Sequence, residues 1–384
     1  MSGKRFGWPQ VVALLLLGAF ALQALWIIHR TPLQGAGFGY ARFGLFQITG
    51  RLQPGALSAP PVPAAIAAIP AIIARPFASS LPLEKWKWIL RLPFVAIGWL
   101  LGASVWYVAR RLYGNHGGYI ALTLYCFSPA TFFSWPGPSL TGSLGIFGTI
   151  FVAIATAHTL YAPVGGAIGE LRSRWRRVIL MGLAIALALG SGFWAISLVG
   201  LGLMFMLYLA PDRRLFSLGL VLTSCAVTVG LLVACYGFRL RAFTEAISQA
   251  NWLPLEHGLV ASEVLHADAA RILRTENPVL LVIAAVALVT YFTWSRCRYF
   301  GNTAPLLSLL VLTALGLITF ADAFVGPFPF RATPFLYVFI GGVFADLLES
   351  RWRNLFQWLL LGMLIAYAAV SVLAVVRMTS GTLS

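Results

Sequence analysis

The sequence predicts an all-α protein that crosses a membrane many times, and three observations carry that prediction. Hydrophobic residues fill 60% of the 384 positions and charged residues only 10%, more apolar surface than a water-soluble fold encloses. The apolar residues come in long unbroken runs, not in the alternation of a barrel strand, and a chain in lipid must satisfy its own backbone hydrogen bonds. The 27 Lys and Arg residues, which give a net charge of +16, lie in short clusters between those runs. A nucleic-acid surface would gather them into one stripe; here they read as topology signals.

A helical span needs about 20 residues to cross about 30 Å of hydrocarbon, and the chain offers about eleven such segments. They cover residues 9–28, 92–109, 118–134, 140–160, 178–191, 195–210, 216–237, 278–295, 304–320, 332–347 and 355–376. The first follows Lys4 and Arg5 as a signal peptide would, but no small-residue cleavage site precedes His29 and Arg30, so it reads as a retained span. With the N-terminus cytoplasmic, Arg110-Arg111, the Arg172 to Arg177 cluster, Asp212-Arg213-Arg214, Arg296 to Arg298 and Arg351 to Arg353 all fall inside. The turns at 135–139, 191–194 and 321–329 contain no Lys or Arg and fall outside. The expected location is the cytoplasmic (inner) membrane, with the C-terminus external. Cys126, Cys225, Cys235 and Cys297 sit in or beside apolar runs without metal-ligand spacing and read as small core residues.

The chain reads as a single transmembrane domain, 1–384, with two long external segments. In the first, 29–90, the stretch from Val62 to Ala74 is apolar but short and interrupted by Pro70. It predicts a helix lying at the membrane surface, because counting it as a span would put the basic loops outside. Trp86 and Trp88 alternate with Lys85 and Lys87, the composition of a headgroup belt, with lipid-donor recognition as the alternative. The second segment, 238–277, is the most polar part of the chain, and Val264, Leu265, Ile272 and Leu273 give residues 260–273 the spacing of an interfacial helix.

Several landmarks now stand in order. Pro32 to Tyr40 is followed by Arg42 and Gly50, then by Ser58-Ala59-Pro60-Pro61-Val62 and Arg91-Leu92-Pro93-Phe94. Ala109-Arg110-Arg111-Leu112-Tyr113-Gly114 and Phe127-Ser128-Pro129 close the series. The set resembles the GT-C superfamily of lipid-linked-sugar glycosyltransferases, in particular the family 39 group of protein O-mannosyltransferases and aminoarabinose transferases. The resemblance implies a polyprenyl-phosphate-linked sugar donor whose phosphate lies at the external face. It implies an acid in the first external loop as base or metal ligand, a second acid after the third span, and a basic residue before a late span to hold the phosphate. This sequence departs from the pattern at three places. No Asp or Glu precedes Glu84, so Ala36 and Gly37 stand where the first acids belong; Gly137 or Ser139 stands in the second place, and Ala59 replaces a basic residue.

A weak hydroxyl or amine nucleophile needs a proton acceptor within reach of the anomeric carbon. The external candidates are Asp322, Glu256, Glu263 and Asp268, with His257 nearby. Glu263, His266 and Asp268 have a spacing that allows a divalent metal, the one cofactor the sequence suggests, or else form the solvated face of a surface helix. Asp322 alternatively ends its helix and pairs with Arg331. Arg331 matches the resembling family's phosphate ligand, and Arg239, Arg241, Arg271 and Arg274 are further choices, because an Arg fork binds phosphate oxygens in bidentate fashion.

Two functions follow from these residues. One is a glycosyltransferase acting on a polyprenyl-phosphate sugar among membrane lipids. The other is a catalytically inactive relative that binds lipid or scaffolds partner subunits of a membrane complex, since packing does not need the missing acids. Nucleic acid is not an expected partner. A transporter fits poorly, because the predicted span centres hold almost no ionisable residues and no internal repeat is visible.

Overall fold

The computed structural model of the chain describes residues 7–31, 35–49, 59–74, 76, 83–129, 138–160, 169, 173–250, 277–319 and 328–381. Among the described residues all regular structure is helical. The elements are α1 (Trp8–Arg30), α2 (Gly35–Thr49), α3 (Pro61–Ala74), α4 (Leu83–Cys126), α5 (Pro138–Ala157), α6 (Trp175–Gly190) and α7 (Ile196–Leu209). They continue with α8 (Arg214–Cys235), α9 (Leu240–Ser248), α10 (Pro278–Thr293), α11 (Phe300–Thr319), α12 (Phe328–Leu348) and α13 (Arg353–Gly381).

Every predicted span coincides with a helix or an arm of one. Among the described residues, six helices are long and apolar enough by themselves to cross a membrane: α1, α4, α5, α12, α13 and the stretch Pro211–Cys235 that includes α8. Ile196–Leu209, Pro278–Thr293 and Phe300–Leu315 are apolar but shorter. The chain is therefore a polytopic all-α membrane protein. The two segments predicted before and after Arg110-Arg111 form one element, α4, broken at Gly114, whose φ of 74° lies in the left-handed region. The chain reverses there. Tyr125, near the end of the second arm, donates its hydroxyl to the Gly98 carbonyl in the first at 2.6 Å. Gly98 and Gly102 leave no room for a Cβ beside Phe20 and Tyr125, so the glycines admit the large rings.

The chain divides into two compact units, one formed by 33–97 and 136–254 and the other by 1–32, 98–135 and 255–384. In the first unit, α5, α6, α7 and α8 pack as a bundle. Gly145 meets the backbone at Ala188, and Gly182 meets Val227 and the Ser224 carbonyl; such close approach suits lipid, where van der Waals packing and polar contacts join helices. Thr228 adds a hydrogen bond from its hydroxyl to the Gly182 carbonyl at 2.9 Å. One buried cluster gathers Leu160, Val178, Met181, Met206 and Leu220, and a second gathers Val62, Leu232, Val233, Tyr236 and Phe243. Helix α3 is the predicted surface helix, with Pro70 inside it. Its first half is buried and its Ile69 and Ile73 are exposed. It lies against α2, where a Cβ at Gly44 would overlap the Ala64 carbonyl.

In the second unit α12 is the most enclosed span, with Phe335, Tyr337, Val338, Phe339 and Ile340 fully buried. Its Gly341 approaches the Gly117 carbonyl in the second arm of α4. Past its end, Arg296 and Glu349 form an ion pair at 2.9 Å, and Asn302 donates to Asp346 at 2.9 Å. These bonds clip the turn Ser295–Cys297 to the C-terminal end of α12. All four cysteines are free, with Cys126 and Cys297 buried as core residues. The interfacial helix predicted over 260–273 lies outside the described residues.

Candidate functional site

The first polar cluster belongs to the end of α4 that the charge pattern assigns to the external face. Glu84 occupies the first turn, where a carboxylate complements the helix dipole. Lys87 follows one turn later and Arg91 a turn after that, so all three share one side of the helix with Leu90 and Phe94. Lys87 is 6% exposed and Arg91 4%. The Lys87 ammonium lies 2.6 Å from a Glu84 carboxylate oxygen, and the Glu84 side chain is 78% exposed. Lys87 is thus enclosed by the protein, whereas Lys85 is exposed.

An ammonium and a guanidinium one turn apart on the enclosed side of a helix are both groups that bind phosphate oxygens. Glu84 and Arg91 were not singled out from the sequence as site residues, and Lys87 only with Lys85, Trp86 and Trp88, for lipid-donor recognition as the alternative to anchoring. The available signal was register, since positions 87 and 91 fall on the apolar side of α4.

The second external segment begins in the same unit. Arg239 donates from Nη2 to the Thr49 carbonyl at 2.8 Å, so it caps the last turn of α2. Its predicted role as a phosphate ligand competes with this structural one. Arg241 is exposed. Gln47, 1% exposed, donates to the Ala59 carbonyl at 3.0 Å, at the place where the resembling family carries a basic residue. No acid stands in the first turn of α2, where Ala36 and Gly37 lie. Ser139, in the second landmark place, is fully buried.

The other unit has its own polar seam at the ends of its helices. Asn277 accepts from the Val279 amide at 2.9 Å, capping α10, and donates to the Tyr367 carbonyl at 2.7 Å and to the Ser371 hydroxyl at 2.8 Å. Tyr367 in turn donates its hydroxyl to the Leu124 carbonyl at 2.9 Å, and Gln23 donates to the Cys126 carbonyl at 3.2 Å. Both bonds satisfy carbonyls that the end of α4 leaves open. Arg331 lies in the first turns of α12 and is 6% exposed.

Asp322, Glu256, His257, Glu263, His266, Asp268, Arg271 and Arg274 lie outside the described residues. Among the described residues no group of three His, Cys, Asp or Glu side chains gathers as a metal site.

No protein-family model and no curated protein matches the sequence. Solved structures do. The chain is similar over 97% of its length to the apo oligosaccharyltransferase of Archaeoglobus fulgidus, with a TM-score of 0.57 and 12% identity. It is similar over 93% of its length to the same enzyme in complex with Zn and sulfate, with a TM-score of 0.54 and 12% identity. The matches span 57% and 53% of those chains, so this protein corresponds to little more than half of their length. At that identity the likeness shows the fold, which is of the GT-C type.

Proposed function

We propose that this protein is a membrane glycosyltransferase of the GT-C type that moves a single sugar from a polyprenyl-phosphate donor to an acceptor at the external face of the cytoplasmic membrane. The observation that carries this reading is the enclosed pair Lys87 and Arg91, one helical turn apart near the N-terminal end of α4. The fold of an oligosaccharyltransferase and the ordered family 39 landmarks support it. In this reading Lys87 and Arg91 hold the donor phosphate, the bond from the anomeric carbon to the phosphate oxygen breaks, and the phosphate leaves as an anion that the two cations stabilise. Glu84, tied to Lys87 and mostly exposed, orients the ammonium. Asp322, Glu256, Glu263 and Asp268 remain the candidates for the base that takes the acceptor proton, and Arg331 is a separate candidate cation.

The test is binding of polyprenyl phosphate to the purified full-length protein, with wild type compared with K87Q/R91Q and with R331Q. Loss of about 1.5 to 3 kcal/mol per charged contact would weaken K87Q/R91Q by a hundredfold or more. Equal affinity of wild type and K87Q/R91Q contradicts the assignment.

A specific observation also favours the second reading, a catalytically inactive lipid-binding or scaffolding subunit: no acid precedes Glu84, and Glu84 is engaged with Lys87. Mild-detergent purification separates the two. A stoichiometric membrane partner with no sugar transfer supports the subunit; a protein that runs alone and transfers sugar removes it.

A further inference from the structure

In the second unit, the turn between α12 and α13 forms an open concavity of about 330 Å³ lined by Arg351, Trp352, Arg353, Asn354 and Leu355. Its charges are unbalanced. Glu349, the acid next to it in sequence, is taken by Arg296 at 2.9 Å, and neither Arg351 nor Arg353 has an ion pair among the described residues. The Trp352 amide bonds to the Ser350 hydroxyl and the Arg353 amide to the Ser350 carbonyl. The amides of Asn354 and Leu355 belong to the first turn of a 29-residue helix, where intrahelical acceptors are missing and the dipole favours an anion.

The apolar side of the concavity is as well defined as the charged side. Trp352 is 66% exposed and Leu355 54%. The span that follows, Arg353–Arg377, combines the highest hydropathy of the six long spans, 2.6, with the lowest buried share, 22%. It presents its side to lipid. Two free guanidinium groups, open amides and an exposed indole thus meet where the headgroup layer gives way to hydrocarbon. A soluble anion would use only the first two.

We propose that this turn is a binding site for one anionic glycerophospholipid of the adjoining leaflet. Arg351 and Arg353 hold the phosphodiester, Trp352 lies at the headgroup level, and the acyl chains run along α13 beside Leu355 and Leu359. The site is distinct from the donor site proposed at Lys87 and Arg91 and does not depend on it. Its function is to fix the register of α13, the least enclosed span, against the bilayer.

The experiment is native mass spectrometry of the full chain in a zwitterionic detergent, with phosphatidylglycerol or phosphatidylcholine added. Wild type is compared with R351Q/R353Q, with each single substitution, and with R176Q/R214Q, which removes two exposed arginines elsewhere. An arginine in contact with the bound lipid contributes about 1 kcal/mol, or about fivefold, so each single substitution is expected to retain phosphatidylglycerol about fivefold less well and R351Q/R353Q about thirtyfold less well. R176Q/R214Q leaves the concavity intact and is expected to lose far less than R351Q/R353Q. Equal retention of the two lipids by wild type, or equal loss in R176Q/R214Q, overturns the proposal. Displacement of the bound lipid by millimolar inorganic phosphate also overturns it, because the site would then be one for a free anion.

Discussion

Arg239 donates to the Thr49 carbonyl at 2.8 Å across 190 residues of sequence, so the residue that opens the second long segment closes the last turn of a helix in the first. Directly before it, Gly237 holds a φ of 62° and packs against the Ile48 carbonyl. Phe238 follows at a φ of 59°, with its ring 76% exposed. Among the described residues, this charged hydrogen bond and the buried cluster that holds Val62 and Phe243 join the two segments expected to carry activity.

The contacts of Gly237 and Arg239 differ in how they fail. Gly237→Ala places a Cβ in the left-handed region and against the Ile48 carbonyl, and is expected to cost about 1 to 3 kcal/mol. Arg239→Gln loses one exposed charge-assisted bond and is expected to cost about 1 kcal/mol or less. Hydrogen exchange at Leu45 to Thr49 reads both, with the larger loss of protection in G237A.

Glycine packing in the first unit gives an internal contrast. Gly145→Ala is expected to destabilise by about 1 to 3 kcal/mol, because the new methyl group meets the backbone at Ala188 and neither helix yields easily. Gly200→Ala, in α7 with open space around its Cβ position, is expected to be neutral or stabilising by up to about 1 kcal/mol. Thermal denaturation in detergent ranks the two variants.

Cys297 supplies a pH-dependent prediction. Burial, and then the neighbouring Asp346, lift its thiol from the usual 9.0 to about 12. The native pKa is raised, so the thiol's contribution to stability is complete below about pH 9 and is lost as the pH rises towards 12. The native protein is expected to resist iodoacetamide at Cys297 at pH 8.5, with labelling appearing on unfolding. Rapid labelling of the native protein would contradict the enclosed turn.

Asn277 tests the polar seam of the second unit. Its side chain serves the Val279 amide, the Tyr367 carbonyl and the Ser371 hydroxyl. Asn277→Ala is expected to cost about 2 to 3 kcal/mol, since buried partners are left without bonds. Asn277→Asp is expected to be worse near neutral pH, because it trades the amide donor for a buried carboxylate. Denaturation midpoints of the two variants at pH 5 and pH 8 check both expectations.

Much of the architecture was legible in the sequence because lipid leaves few options. The apolar runs located the helices, and the short run from Val62 to Ala74, interrupted by Pro70, is a helix as well. The hairpin of α4 was visible as two spans but not as one element, because nothing in the composition of Tyr113-Gly114-Asn115 distinguishes a loop from a one-residue reversal. The site was less legible. Acidic residues were sought by landmark, and the landmark places hold Ala36, Gly37 and Ser139. Lys87 was read by its neighbours Trp86 and Trp88 as a belt residue, whereas helical register places it with Arg91 on the enclosed side. Arg239 was read as a phosphate ligand because a carbonyl 190 residues away leaves no trace in local sequence.

An experimental density map of the full-length protein with bound polyprenyl phosphate is the most direct test of the proposed chemistry. The phosphate is expected within hydrogen-bond distance of Lys87 Nζ and the Arg91 guanidinium, with Glu84 still beside Lys87. A phosphate held by Arg331 alone, or by the 256–276 segment without Lys87 and Arg91, would contradict it.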